Sequence, residues 1–217
     1  MSRSGPEAAP ETADWRALQA SLAARGERRL VLLEGNRENN LRWLSGLLPE
    51  LDIHTGLWTG PPDQRPDPRL TGIIPAEARK WLGREVSLIV WDGWQGNPPD
   101  AFAALSGALT AGGLLVWLMP PLVEWHRFAD PDYPRTGLDH GGEHPFAARM
   151  ADILADHEAA IRISPGSEKA PSPAIPQVPG QSFQIETTRD QKQLIQRLVR
   201  FGLGRRRRPL VVTADRG

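Results

Sequence analysis

The run Val86-Ser-Leu-Ile-Val-Trp-Asp92 decides the fold. It is apolar along almost its whole length instead of at alternate positions, the pattern of a strand buried on both faces, as in a parallel sheet covered on each side. The next thirty residues agree. Asn97-Pro-Pro-Asp100 supplies a turn and an N-cap, Phe102, Leu105 and Leu109 recur at helical spacing, and Gly112-Gly113 is expected to end that helix. Leu114-Leu-Val-Trp-Leu-Met119 is then another buried strand, closed by Pro120-Pro121. Strand, helix, strand is the repeating unit of a parallel sheet.

The same alternation extends in both directions. Residues 1–13 are rich in Ser, Pro, Glu and Ala and are expected to be a disordered tail. Asp14 is placed to cap a helix that carries Trp15, Leu18 and Leu22 on one face and runs to Gly26. Residues 30–33 form a first buried strand, ended by Glu34-Gly35-Asn36. Asn39 or Asn40 then caps a helix with Leu41, Leu44 and Leu48 on one face, stopped by Pro49. Residues 53–58 suit a second strand, residues 59–69 hold four prolines and read as a loop, and residues 75–82 suit a short helix. Beyond Pro121, a long polar loop covers residues 124–143. Phe146, Met150 and Ile153 mark a helix, and residues 161–163 a last short strand. Residues 14–163 are therefore predicted to be a Rossmann-like α/β domain, a mostly parallel sheet with flanking helices.

Composition narrows the function. Twenty-six basic and 26 acidic residues cancel, so no global field recruits nucleic acid and any such binding needs a local patch. No cysteine is present, which removes disulfides, thiolate metal sites and a Cys nucleophile and suits a reducing cytoplasm. No secretory h-region is visible and no run approaches the roughly 20 apolar residues of a membrane span. Eight Trp against one Tyr is an unusual ratio, read as core or groove anchors.

Residues 164–186 form a Pro-rich linker, with five prolines by position 179. Residues 187–217 open a second domain. Leu194, Ile195, Leu198 and Phe201 give a helix capped by Thr187 or Thr188. Arg205-Arg-Arg-Arg208 and the apolar run 210–213 come after it. Ala214-Asp215-Arg216-Gly217 fits the first four places of the phosphate-loop pattern G-x-x-x-x-G-K-[ST], Ala being tolerated at the first. Such a loop cradles phosphates on consecutive backbone N–H groups ahead of a helix N-terminus, and Gly217 lets the backbone approach them. In Thr188-x-x-Gln191, the Gln amide could read an adenine edge because it both donates and accepts; alternatively it is an exposed helix residue.

Taken together, Ser87-Leu-Ile-Val-Trp-Asp92 and residues 99–121 resemble the N-terminal domain of the bacterial tRNA(Met) cytidine acetyltransferases. The Thr188-x-x-Gln191 helix and the run Val211-Val-Thr-Ala-Asp-Arg-Gly217 after it resemble the start of that family's RecD-like, helicase-like ATPase module. Thr213, Ala214, Arg216 and Gly217 match a loop that reads T-A-x-R-G-R-G-K-[ST], and Asp215 stands where Ala is common. The resemblance implies N4-acetylation of the wobble cytidine of elongator tRNA(Met), with acetyl-CoA as acyl donor and ATP with its Mg²⁺. It implies Gln191 at the adenine and Gly217 as the first phosphate contact, with Thr213 to Arg216 forming part of the loop. It places the acetyl-CoA site and the acyl-transfer residues beyond Gly217, so residues 1–217 are expected to hold no catalytic residue and to be inactive alone. A non-enzymatic tRNA- or protein-binding module, or the front of another RecD-like helicase, are the alternatives.

Three further groups have competing readings. Arg205, Arg206, Arg207 and Arg208 could contact tRNA phosphates, although a solvated turn directly before a buried strand is the plainer reading. His126, Asp139, His140, Glu143 and His144 read as a solvated loop and not a metal site, because Gly141-Gly142 argues against the helix that their spacing would need. Asp92 lies where open α/β sheets place ligands, but Glu34-Gly35-Asn36-Arg37-Glu38 is no dinucleotide fingerprint, so Asp92 is expected to be a turn and cap residue.

Overall fold

The computed structural model describes residues 14–137, 144–166 and 188–203. The chain divides into two compact units, Met1–Pro179 and Gly180–Gly217. In the first, helix α1 (Trp15–Arg25) starts where Asp14 accepts a hydrogen bond from Ala17 N and stops at Gly26 in the left-handed region. Strand β1 (Arg29–Glu34) and helix α2 (Arg37–Leu47) come next, then β2 (Gly56–Trp58), β3 (Leu70–Gly72) and β4 (Val86–Asp92). Helix α3 (Pro99–Ala108), strand β5 (Leu109–Met119), the single turn α4 (Tyr133–Thr136), helix α5 (Pro145–Ala155) and strand β6 (Ile161–Ile163) complete it.

The strands form one six-stranded sheet in the order β3-β2-β4-β5-β1-β6, and every pairing is parallel. The continuous apolar runs are explained by the alternation of side chains between two covered faces. Leu32, Trp91, Leu115 and Trp117 turn to the face packed by α3 and α5, while Val31, Leu33, Val90, Leu114 and Val116 turn to the face packed by α1 and α2.

Several boundaries differ from the sequence expectation. Helix α3 ends at Ala108, and Leu109 already belongs to β5, which runs straight through Gly112-Gly113. Gly112 is a packing device instead of a helix stop. It sits at φ +80°, and a Cβ there would lie 2.9 Å from Gln19 O and 3.0 Å from Ala23 Cβ, so the missing side chain lets the strand press against α1. Helix α2 is capped by Asn36, whose side chain accepts from Glu38 N and Asn39 N, and not by Asn39 or Asn40. Asn40 is instead fully buried and donates Nδ2 to Leu33 O (2.9 Å) and Met119 O (3.4 Å), joining the ends of β1 and β5.

The second strand is shorter than expected, β3 stands unforeseen after the proline-rich loop, and the helix expected over 75–82 is a 3-10 segment, Pro75–Trp81. The polar loop carries a 3-10 segment (Leu122–Arg127) and α4, with residues 138–143 outside the described residues. Helix α5 forms where predicted but buries Ala151 and Leu154, leaving Phe146 and Ile153 exposed.

In the second unit, helix α6 (Arg189–Leu203) forms as expected. The linker from 167 to 187 and the stretch from 204 to 217, with Arg205 to Arg208 and Thr213 to Gly217, lie outside the described residues. Among the described residues no helix is long and apolar enough to cross a membrane.

Candidate functional site

A parallel sheet gathers the C-terminal ends of its strands at one edge. The connection leaving β2 leads outward to β3, whereas that leaving β4 leads the other way to β5, so the topological switch point, where open α/β sheets place ligands, falls between the ends of β2 and β4. Asp92, the last residue of β4, lies there with its side chain 0% exposed. Both carboxylate oxygens accept from Arg37, the first residue of α2. Nε lies 3.0 and 3.2 Å away and Nη2 2.5 Å, the forked geometry that a guanidinium offers a carboxylate. Asp92 N donates to Thr59 Oγ1 at 3.0 Å, tying the end of β4 to the end of β2.

Asp92 is therefore no cap, for the 3-10 turn after it has no side-chain capping bond. It is the buried half of an ion pair that clamps α2 to the sheet edge. Glu34, at the end of β1, is used in the same way. Its oxygens accept from Arg162 Nε (2.6 Å) on β6 and from Leu122 N (3.1 Å). Both acids at this edge are thus neutralised and engaged.

Beside this edge lies a cavity of about 650 Å³. Its walls are aromatic, supplied by Phe102 of α3, Trp117 of β5, Trp125 and Phe128 beyond it, and Tyr133 of α4. The rings of Phe102 and Trp117 are 4.6 Å apart, and those of Trp117 and Trp125 5.0 Å. A polar chain runs beneath. Trp117 Nε1 donates to Asn97 Oδ1 at 2.9 Å, and Asn97 Nδ2 donates to Asp130 Oδ2 at 2.7 Å. Asp130, only 5% exposed, also accepts from Asn97 N (3.1 Å) and Asp132 N (2.8 Å) at Oδ1. Burial, and then the charge of Asp130, push the Tyr133 hydroxyl above its ordinary value, so it stays protonated.

His144 corrects the solvated-loop reading. It is buried, its ring centroid lies 4.1 Å from that of Tyr133, and its backbone N donates to His126 O. Its burial comes from tertiary packing against Tyr133 of the same loop, which the polar composition of that loop does not report. Asp139, His140 and Glu143 lie outside the described residues, and among the described residues no group of three or more His, Cys, Asp or Glu could hold a metal.

In the second unit, Thr188 and Gln191 cap α6 reciprocally. Thr188 N donates to Gln191 Oε1 (2.9 Å), and Gln191 N donates to Thr188 Oγ1 (3.3 Å), a capping box. The box fixes the Gln191 amide at the start of the helix and occupies one lone pair. The second lone pair and the Nε2 hydrogens remain, which is the donor and acceptor set that an adenine edge requires.

The sequence profile described as "tRNA(Met) cytidine acetyltransferase TmcA, N-terminal" matches residues 10–165. The chain belongs to this family. Relatives named tRNA(Met) cytidine acetyltransferase TmcA include that of Nitrosococcus halophilus, 33% identical over 92% of this chain and 28% of the relative. The Haloarcula marismortui relative is 28% identical over 93% of this chain and 28% of its own length, and that of Salmonella typhimurium is 35% identical over 54% and 16%. The chain thus spans little more than a quarter of the longest-matched of these relatives. A match over 92% is too long to be confined to residues 1–179 of 217, so family likeness runs from the first unit into the second.

The Arg37–Asp92 clamp and the aromatic cavity escaped the sequence reading. A pointer to the first was the acid at the end of the clearest strand. For the cavity it was the excess of Trp.

Proposed function

We propose that these residues are the accessory α/β domain and the opening helix and strand of the ATPase module of an enzyme that acetylates N4 of the wobble cytidine in elongator tRNA(Met), consuming acetyl-CoA and ATP. The observation that carries this is the family likeness running from the first unit into the second. The geometry agrees with an accessory role. Asp92 and Glu34, the acids at the sheet edge where α/β enzymes place their chemistry, are committed to Arg37 and Arg162. Each acid is tied to an arginine from another element, so this edge braces the fold.

On this reading Gln191 meets the adenine, and Thr213 to Gly217 begin the loop that holds the phosphates and, with residues beyond, Mg²⁺. Bound ATP supplies the phosphoryl-transfer energy for the module. The acetyl-CoA site and the acyl-transfer groups belong to the remainder of the enzyme, which works in the cytoplasm on tRNA. The test is to assay residues 1–217 alone for ATP hydrolysis and for acetyl transfer to tRNA. Neither activity is expected, and clear turnover in either would overturn the proposal.

A further inference from the structure

The aromatic cavity contains two unanswered groups. Asp130 is buried, and its three N–H bonds fill three of the roughly four acceptor positions of a carboxylate, while among the described residues no Lys, Arg or His lies within ion-pair distance of it. The neighbouring acids differ, since Asp132 and Asp100 both face Arg135 (2.7 and 3.9 Å). His144 is the second group. It lines the cavity, and its Nε2 is buried with no hydrogen-bond partner among the described residues. Among the described residues no Lys or Arg lines the space. A buried carboxylate beneath aromatic rings, whose faces are electron-rich, makes a negative interior that repels phosphates and attracts cations.

We propose that this cavity binds a small organic ammonium ion, with its alkyl groups against Trp117, Trp125, Phe128 and Tyr133 and its charge answering Asp130. At about 650 Å³ the volume suits a small molecule. A hydroxyl on the same ligand would give His144 Nε2 the partner it lacks. The inference uses only the first unit and does not depend on the acetylation reading.

The probes are choline, which carries a quaternary ammonium and a hydroxyl, and 3,3-dimethyl-1-butanol, its uncharged counterpart of the same shape. Each is titrated into the 217-residue chain by calorimetry, with Trp fluorescence as a second readout. Choline is expected to bind at least about tenfold more tightly than the alcohol, because shape is shared and only charge differs. Tyr133→Leu and Phe128→Leu keep the cavity apolar but remove a ring, and are expected to weaken choline by roughly 2- to 30-fold while leaving the alcohol nearly unchanged. Asp130→Asn is expected to weaken choline by about tenfold or more. It could also disturb the Asn97 network, so the two-probe comparison on the unmodified chain decides the matter. Equal affinity for both probes, or no choline binding to a chain with intact circular dichroism, would overturn the proposal. A trimethyl-lysine peptide binding more than about tenfold tighter than choline would overturn it in favour of a protein tail.

Discussion

Replacing Arg37 with Met removes the only group that hydrogen-bonds the Asp92 carboxylate among the described residues, while keeping an unbranched apolar stem at the start of α2. Thr59 cannot compensate, because it bonds to the backbone N of Asp92 and not to its side chain. The carboxylate is 0% exposed, so the variant strands a charge in the interior, and breaking such a pair costs about 3–5 kcal/mol. Arg37 itself is 23% exposed, which lets water reach the gap and places the expectation near the lower end, about 3 kcal/mol. Urea unfolding of the 217-residue chain measures this directly. With a slope of about 1–3 kcal/mol per molar, the midpoint should fall by roughly 1–3 M without a change of slope. Removing both charges in Arg37→Met/Asp92→Leu should restore most of the loss, because the cost lies in the unpaired charge. A single variant within about 0.5 kcal/mol of the parent, or a double variant no better than the single, would refute the clamp.

Gly112→Ala should lower stability by about 1–3 kcal/mol, read as a fall in Tm, since the new Cβ meets the Gln19 carbonyl at 2.9 Å on a backbone at φ +80°. Asn40→Ala should cost about 1–3 kcal/mol and speed amide exchange at the ends of β1 and β5, because the Leu33 and Met119 carbonyls lose a buried donor. The Asp67 carboxyl is held below its ordinary value, first by the side-chain hydrogen bond from Arg69, so its contribution is present above the unfolded value near about pH 4 and is lost as pH falls through the lower folded value. Asp67→Asn should therefore reduce stability at neutral pH and flatten its decline below about pH 4, whereas an unchanged acid limb would show the pair to be idle. Gln191→Ala removes half of the capping box and should cost α6 about 1 kcal/mol. In the whole enzyme it should also raise KM for ATP with little change in kcat for acetyl transfer, a split that a merely capping residue would not produce.

The centre of the fold was legible because β1, β4 and β5 are buried on both faces, and continuous apolar runs such as Val86–Asp92 have few other uses. The periphery was not. Strand β3 is three residues long and stands just after four prolines, and its pairing with β2 is a tertiary fact. Gly112-Gly113 looks like a helix stop by local rules, and only the approach of α1 shows why a strand needs it. Asn36, Asn39 and Asn40 are chemically alike as caps, and the choice of Asn36 left Asn40 free to serve as a buried donor. The candidate site divides in the same way. Thr188 and Gln191 were legible as a local pair. The Arg37–Asp92 clamp spans 55 residues, and Asn97 meets Asp130 across 33, separations that no local pattern reports.

The most direct test of the proposed function is the yield of N4-acetylcytidine at the wobble position of elongator tRNA(Met). It is measured by mass spectrometry after incubation with acetyl-CoA, ATP and the product of the full reading frame that carries residues 1–217. Close to one acetyl group per tRNA is predicted from that product and none from residues 1–217 alone. Acetylation by the 217 residues alone, or a folded full-length product that leaves the cytidine unmodified, would contradict it.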